Sequence, residues 1–117
     1  MKPHLDYDIA IIGGGPAGLL LSHILHLNGI DSMVIERQSK AHVKGRIRAG
    51  VLEAGTVQLL RDVGLGDRMD REGMPHDGTS FTWENKPSLF IDVKKFTGKS
   101  FMAYGQTSIT EDLYLQR

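Results

Sequence analysis

Residues 8–18 read D-I-A-I-I-G-G-G-P-A-G, and this stretch decides the fold. The apolar run at residues 9–12 is short and continuous, which predicts a β-strand buried on both faces of a parallel sheet. The glycines after it predict a tight turn that leads into a helix. Residues 32–35 predict a second strand, and Glu36 follows it at once. The segment thus has the order strand, glycine-rich turn, helix, strand and terminal acid. This arrangement is typical of folds that bind the ADP half of a dinucleotide.

Each residue of the turn has a separate physical reason to be there. Gly13 permits the tight turn, Gly15 lets the backbone approach a pyrophosphate, and Gly18 lets the helix pack close to the strand. Pro16 is tolerated in the first helical turn, where its missing N–H would be unpaired in any case. The N–H groups and the positive dipole end of the helix then face the phosphates. The cofactor-binding residues predicted on this turn are Gly13, Gly15, Pro16, Ala17 and Gly18.

Glu36 supplies the acid that such a fingerprint requires, roughly 20 residues after the glycines. A carboxylate at the end of the second strand can accept hydrogen bonds from both ribose hydroxyls of an adenosine. The alternative is a plain tight turn followed by a solvated acid. The coincidence of strand, turn, helix, second strand and acid favours nucleotide binding.

Composition bounds the class of protein. The 117 residues suffice for one small domain, and 40% hydrophobic with 24% charged residues is an ordinary globular balance. Lys and Arg number 14, as do Asp and Glu, so the zero net charge does not indicate binding to nucleic acid. The chain has no cysteine, which excludes disulfides, thiolate metal sites and cysteine nucleophiles. We expect no metal site.

Residues 9–27 are rich in apolar side chains but resemble neither a secretory signal nor a membrane span. Acidic residues precede the run, and glycines and Pro16 interrupt it. Polar residues are expected to give the helix a solvated face: Ser22, His23, His26 and Asn28. We therefore expect a cytoplasmic protein that does not bind membranes.

Periodicity and turn residues predict the elements of the first two thirds of the chain. A helix is expected over residues 16–28, with Gly29 as its left-handed cap. Residues 37–50 look like a polar, basic loop. A second helix is predicted from about residue 51 to residue 63, with Gly64 closing it, and a short helical piece over 66–72.

The last third reads as a hairpin, a strand and a helix. Residues 73–78 predict a turn, and 79–84 with 89–93 predict the two strands of a hairpin. Residues 101–104 predict a third parallel strand. A capping box, S-x-x-E from Ser108, predicts a helix over 109–117.

These elements amount to roughly the first half of a nucleotide-binding domain. We therefore expect a fragment of a longer enzyme, since a chain of this size buries only a modest core. The alternative is a complete minimal protein. The fold expected is α/β and Rossmann-like, a parallel sheet with helices and a β-hairpin excursion, with only its N-terminal part present.

Five segments together resemble the N-terminal part of the class A flavoprotein aromatic hydroxylases, in particular those of the 4-hydroxybenzoate 3-monooxygenase type. The segments are G-G-G-P-A-G-L-L-L-S (13–22), G-I-D-S-M-V-I-E-R-Q (29–38), G-R-I-R-A-G-V-L-E (45–53), H-D-G (76–78) and Y-G-Q-T (104–107). They extend over nearly the whole chain, and the segment at 45–53 is the most specific.

This resemblance implies that the dinucleotide is FAD and that NADPH, or NADH, is the co-substrate that reduces it. It implies hydroxylation of 4-hydroxybenzoate to 3,4-dihydroxybenzoate with O2, in a protein that forms a homodimer. The flavin carries the hard chemistry, while the protein supplies placement, electrostatics and exclusion of water.

The resemblance also assigns residues. It places Arg46 and Arg48 near the flavin and its pyrophosphate, and two guanidiniums spaced i, i+2 on an extended loop can reach one anion. It makes Gln106 a contact of FAD, directly after a strand end where such folds bind ligands. The alternatives are a solvated basic loop for the two arginines and a polar residue at a helix start for Gln106.

Arg37 and Gln38 match positions that the family links to NADPH, and an arginine just past the ribose acid suits a 2′-phosphate. His42 stands where the family often has tyrosine, which leaves the choice between NADPH and NADH open. His76 matches a histidine at the solvent end of a proton relay, a sensible group because its pKa lies near neutrality. Its alternative is a surface turn residue.

The residues with which the family grips the substrate would lie beyond Arg117. We therefore expect weak or absent FAD binding, and no hydroxylation, from this stretch alone. Two other interpretations stay open. One is a different FAD- or NAD-dependent oxidoreductase, and the other is a non-catalytic dinucleotide-binding remnant.

Overall fold

The computed structural model describes residues 6–116. Contacts divide the chain into a first unit, Met1–Ala49 with Gln106–Arg117, and a second unit, Gly50–Gly105. In chain order the elements are β1 (Ile9–Ile12), α1 (Pro16–Leu27), β2 (Ser32–Ile35), α2 (Lys40–Gly45), β3 (Val51–Leu52), α3 (Ala54–Asp62), α4 (Gly66–Glu72), β4 (Met74–His76), β5 (Gly78–Phe81), β6 (Leu89–Asp92), α5 (Val93–Thr97), β7 (Phe101–Ala103) and α6 (Gln106–Leu115).

The first unit contains the predicted β-α-β arrangement. β1 and β2 pair in parallel, with Ile9 opposite Ser32 and Ile12 opposite Ile35. The N–H of Gly13 donates to the carbonyl of Ile35 over 2.8 Å, which continues the ladder into the turn. The prediction of two parallel strands joined by a helix is therefore confirmed.

β1 is buried on one face only, which corrects the prediction that both faces are covered. Ile11 is 8% exposed, whereas Ile12 on the opposite face is 80% exposed. The reason is that side chains alternate along a strand and α1 packs on the Ile11 face.

α1 ends as predicted, with Asn28 as its last cap residue and Gly29 at φ +70°. Its buried face is not the predicted one. Ser22 and His23 were expected in solvent but are 1% and 5% exposed, whereas Leu27 is 55% exposed. The cause is the packing of α1 against β2, where the hydroxyls of Ser22 and Ser32 lie 2.8 Å apart and form a hydrogen bond. A buried hydroxyl with such a partner carries little desolvation penalty.

Two helices of the first unit depart from the sequence prediction. α2 interrupts the expected loop because the Ser39 hydroxyl caps it, accepting from the His42 N–H over 3.1 Å. α6 begins at Gln106, so Ser108 lies inside the helix and the predicted capping box is wrong. The end of that predicted helix, Arg117, lies outside the described residues.

The second unit is built on an antiparallel sheet with strand order β3-β7-β4. Ala103 is opposite both Val51 and Met74, on either side of β7. Three predictions are corrected. Residues 51–52 form a strand rather than the start of a helix, residues 74–76 form a strand rather than a turn, and β7 runs antiparallel to its neighbours. Pro75 argued against a strand in the sequence. However, β4 is an edge strand, where proline is tolerated.

α3 and α4 supply most of the core of this unit. Leu60 on α3 is 2% exposed and Met69 on α4 is fully buried. Gly64, at φ +80°, closes α3 as predicted. The predicted helical piece at residues 66–72 is confirmed.

The hairpin is confirmed with shorter strands than expected. β5 and β6 pair antiparallel, with Phe81 opposite Leu89. Trp83 lies past the end of β5 and stacks on Phe81, with ring centroids 6.4 Å apart. α5 follows β6 at once because the Asp92 carboxylate caps it, accepting from the Lys95 N–H over 2.9 Å.

Residues 6–116 contain neither a candidate membrane span nor a candidate metal-binding cluster. None of the helices there is long and apolar enough to cross a membrane. No group of three or more His, Asp or Glu side chains in that part of the chain is arranged to hold a metal ion.

Candidate dinucleotide-binding site

A pocket of about 490 Å³ opens in the first unit at the N-terminal end of α1. Its walls come from the turn after β1, the end of β2, α2 with the segment after it, and the first residue of α6. The lining residues are Ile12, Gly13, Gly15, Pro16, Ala17, Gly18, Glu36, Gln38, His42, Val43, Arg46, Arg48 and Gln106. The fold thus brings together all but two of the residues that the sequence singled out.

The glycine-rich turn has the geometry that its sequence predicts. Gly13 has φ +114°, which a side chain would strain, and it turns the chain out of β1. A Cβ on Gly18 would collide with the carbonyl oxygen of Gly13 and lie 3.3 Å from Cγ2 of Ile11, so only glycine permits this helix–strand approach. A Cβ on Gly15 would meet nothing within 4 Å, which leaves open space on the pocket side.

α1 presents its N-terminus to this open space. Gly15 is the N-cap residue and Pro16 follows in the first turn, as predicted. No side chain of the described residues caps this end of the helix. An uncapped N-terminus with backbone N–H groups and a positive dipole end is suited to an anion.

The Glu36 carboxylate is hydrogen-bonded to the backbone of the glycine-rich turn. Its Oε2 accepts from the Gly14 N–H and its Oε1 from the Gln38 N–H, each over 2.8 Å. These hydrogen bonds, with the positive charge of Arg37, hold the pKa of Glu36 below its ordinary value of 4.5. The side chain is therefore an oriented anion at neutral pH.

Gly14 is a site residue that the sequence interpretation missed. A Cβ there would lie 2.9 Å from the Cβ of Glu36, too close to be accommodated without a shift. The sequence signal was the third glycine in G-G-G, since the dinucleotide fingerprint itself explains only Gly13 and Gly15. The need for Gly14 becomes visible only when the acid 22 residues later folds back onto it.

The basic segment after α2 gives the pocket its charge. Arg46 is the C-cap residue of α2, Arg48 follows two residues later outside any helix or strand, and both line the pocket. Gln106 lines it from the start of α6. Two guanidiniums beside an uncapped helix N-terminus fit a diphosphate, and a separate oriented carboxylate fits sugar hydroxyls. The residues present thus suit both ends of an ADP group.

Two predicted residues lie elsewhere. Arg37 is exposed and does not line the pocket, although its charge acts on Glu36. His76 belongs to the second unit, where it is exposed on β4 opposite Phe101. The strand position replaces the turn that the sequence suggested for His76.

A larger concavity of about 660 Å³ lies in the second unit, between α3 and β7. Three of its lining residues carry a charge, Arg61, Asp62 and Lys99. Arg61 is already engaged by Asp70, with Nη2 2.7 Å from Oδ1. No residue that the sequence predicted as functional lines it. Size alone therefore does not mark the site, and the convergence of fingerprint residues places it in the first unit.

The chain is similar to known proteins over almost its whole length. A family described as "FAD binding domain" matches residues 6–117. Over 110 residues the chain is 41% identical to the p-hydroxybenzoate hydroxylase of Acinetobacter baylyi, a match that covers 93% of this chain and 27% of that enzyme. The chain therefore spans little more than a quarter of that relative's length.

Solved structures confirm the α/β fold. The p-nitrophenol 4-monooxygenase PnpA of Pseudomonas putida DLL-E4 superimposes with a TM-score of 0.78 at 20% identity, covering 92% of this chain and 28% of that one. The flavin-dependent monooxygenase PieE, solved with FAD and substrate, gives a TM-score of 0.74 at 22% identity, covering 97% and 22%. With the family match extending from residue 6 to residue 117, the chain belongs to the FAD binding domain family of flavin-dependent monooxygenases.

Proposed function

We propose that this chain is the FAD-binding part of an NAD(P)H-dependent aromatic monooxygenase that hydroxylates 4-hydroxybenzoate to 3,4-dihydroxybenzoate. The observation that carries the proposal is the convergence of an uncapped helix N-terminus, an oriented carboxylate and two arginines on one pocket. The name of the Acinetobacter relative supports the choice of substrate.

The pyrophosphate of FAD binds at the N-terminus of α1. The N–H groups of Gly15, Ala17 and Gly18 donate to phosphate oxygens, while Pro16 has no N–H to offer. The open space at Gly15 lets the backbone come within hydrogen-bond distance of the ligand. The turn around Gly13 aims these donors in one direction.

Glu36 binds the adenosine ribose. Each of its oxygens already accepts one backbone N–H, and a carboxylate has about four acceptor positions in all. One position on each oxygen is therefore left for the two ribose hydroxyls. Because the backbone bonds fix the carboxylate beforehand, little side-chain entropy is lost on binding.

Arg46 and Arg48 balance the charge of the phosphates, and the Gln106 amide contacts FAD from the start of α6. When bound, FAD supplies the redox chemistry that no side chain of this chain could supply. The protein's part is to hold the cofactor, set its electrostatic surroundings and exclude water.

The remaining assignments concern the whole protein. Arg37 and Gln38 contact NADPH. His42 stands where the family often has tyrosine, so NADPH and NADH are both candidate co-substrates. His76 passes the phenolic proton of the substrate to solvent. The aromatic acid and O2 react at a site to which other parts of the enzyme also contribute. The whole enzyme is a homodimer in the cytoplasm.

The test uses the full-length gene product. Purified protein is titrated with FAD while the quenching of flavin fluorescence is followed, and NADPH and NADH oxidation are then measured with and without 4-hydroxybenzoate. We expect saturable FAD binding and oxidation that 4-hydroxybenzoate stimulates, with 3,4-dihydroxybenzoate as the product. Folded protein that leaves flavin fluorescence unchanged would overturn the proposal, and FAD binding without any oxidation would favour a non-catalytic remnant.

A further inference from the structure

Two lysines of α2 contact the same side of α6. Lys44 Nζ lies 3.5 Å from Oε1 of Glu111, and Lys40 Nζ lies 4.6 Å from the ring centroid of Tyr114. We infer that Lys40 and Lys44 are positioning residues, which hold α2 on α6 and thereby set where Arg46 and Arg48 stand in the pocket. This inference rests on the proposed FAD site and deepens it.

The spacing of these residues makes the two contacts act together. Lys40 and Lys44 are four residues apart on α2, so they project from one face. Glu111 and Tyr114 are three residues apart on α6 and also share a face. Two contacts one helical turn apart fix the rotation of α2 as well as its distance from α6.

α2 has little else to hold it. It is six residues long, and none of its residues is buried. A helix of that length is not stable alone in water, and α2 buries no apolar face in the core. Its N-cap, Ser39, orders the first turn but does not attach the helix to its neighbours.

The contacts join two walls of the pocket. Arg46 ends α2 and Arg48 follows it, while Gln106 begins α6. His42 and Val43, within α2, also line the pocket. A shift of α2 on α6 therefore moves the guanidiniums relative to the N-terminus of α1.

Each contact is individually modest. The side chains of Lys44 and Glu111 are 36% and 34% exposed, so solvent screens the pair. A partly exposed cation over a ring is of similar strength. Loss of one contact should therefore weaken FAD binding by about two- to tenfold rather than abolish it.

The experiment is a charge exchange in the full-length gene product, with FAD affinity measured by flavin fluorescence. Lys44→Glu and Glu111→Lys should each raise the Kd, and the double variant should restore most of the wild-type affinity. Tyr114→Phe keeps the ring and should leave the Kd unchanged, whereas Tyr114→Leu should raise it. Lys86→Glu, the same charge change in the hairpin turn, is the matched control and should have no effect.

A second measurement needs no cofactor. Trypsin cleavage of the cofactor-free protein after Arg46 and Arg48, followed by mass spectrometry, should be faster by roughly threefold or more in Lys44→Glu and return to the wild-type rate in the double variant. A third measurement uses the protein with FAD bound. The absorbance spectrum of FAD should shift in Lys44→Glu and return to that of the wild type in the double variant. A pair of residues that only stabilised the fold would not produce this shift.

The outcomes separate the two proposals. If the wild-type protein does not bind FAD, the proposed function is wrong. The trypsin comparison then still tests whether the contacts between α2 and α6 hold α2 in place. Wild-type binding with equal Kd values in all variants, or a lower Tm with unchanged Kd and cleavage, overturns the positioning role.

Discussion

The glycine-rich turn of the first unit and the antiparallel sheet of the second unit depend on contacts of different reach. The turn is closed by residues 9–36, through the bond from Gly13 to Ile35 and the bond from Gly14 to Glu36. The sheet joins residues 51–52 and 74–76 to residues 101–103. The turn specifies its own geometry residue by residue, whereas the sheet exists only once distant segments have met.

This difference predicts how the two regions respond to change. A substitution in the turn meets backbone atoms that cannot move without displacing α1, because α1 and the end of β1 come within backbone contact distance at Gly18. A substitution on the edge of the second unit can be relieved by a shift of a short strand or side chain. The following tests are ordered by the size of the effect.

Gly18→Ala should have the largest effect. The new Cβ collides with the carbonyl oxygen of Gly13 and presses on Ile11, so α1 must move away from β1. We expect a loss of about 3 kcal/mol in the free energy of unfolding, with FAD binding lost as well. Urea unfolding followed by circular dichroism measures this loss.

Gly55→Ala is the matched control for that substitution. Gly55 lies in α3, and a Cβ there would meet nothing within 4 Å. Alanine should raise the free energy of unfolding by about 0.5 kcal/mol, because it restricts the unfolded chain. Equal behaviour of the two variants would contradict the claim that close packing requires Gly18.

Gly78→Ala tests the hairpin of the second unit. Its Cβ would collide with the carbonyl oxygen of Ile91 and lie 2.7 Å from the ring of Phe90. Phe90 is 55% exposed and can swing outward, but the Ile91 carbonyl moves only if the two-stranded β5-β6 sheet opens locally. We therefore expect a loss of about 2 kcal/mol, less than in Gly18→Ala. Hydrogen exchange should show the change confined to residues 78–92, and loss of protection in the first unit would count against two separate units.

Glu36→Gln tests the acid. Glutamine offers one acceptor oxygen where the carboxylate offers two, so the N–H of either Gly14 or Gln38 loses its partner. FAD binding should weaken by roughly tenfold, read from flavin fluorescence at neutral pH. Unchanged affinity would remove Glu36 from the site.

The pH dependence of that variant has a definite sign. The pKa of Glu36 is lower in the folded state than its ordinary value of 4.5, so folding favours the ionised form. Its contribution to stability is full above pH 4.5 and is lost as pH falls through the lower, folded-state value. The stability difference between wild type and Glu36→Gln should therefore shrink below pH 4.5, as urea unfolding at a series of pH values would show.

Arg61→Met should have the smallest effect. Arg61 and Asp70 join α3 to α4 through a short ion pair, and the Arg61 guanidinium keeps the pKa of the Asp70 carboxyl below its usual value. Both side chains are more than 40% exposed, so the pair is screened by solvent. We expect the Tm to fall by about 2 °C or less, and by less still in 1 M salt. A fall of 10 °C would show a structural role that the exposure does not suggest.

The same contrast explains what sequence alone could predict. Residues 9–12, 16–27 and 32–35 were placed almost to the residue, because glycine, proline and short apolar runs encode local geometry. β3 and β4 were missed, since two or three residues cannot show an alternating pattern and Pro75 argues against a strand. The direction of β7 depends on partners 25 to 52 residues earlier in the chain, and no local pattern records it.

For the candidate site, the predictable part was again the part with local causes. The glycines and Glu36 follow from the fingerprint, and Arg46, Arg48 and Gln106 came from resemblance to a family. Gly14 escaped because its requirement arises from a carboxylate distant in sequence. The burial of Ser22 was not predicted from the sequence. It depends on the Ser32 hydroxyl of β2, which gives this polar side chain a hydrogen-bond partner in the core.

The attachment of the Glu36 carboxylate to the Gly14 amide limits how cofactor preference can be redesigned. An engineer who neutralises this acid to admit a different cofactor also breaks the hydrogen bond that orders the loop carrying the phosphate donors. Selectivity and preorganisation are thus tuned by a single side chain and cannot be varied one at a time. A successful exchange needs a companion substitution that gives the Gly14 amide a new acceptor.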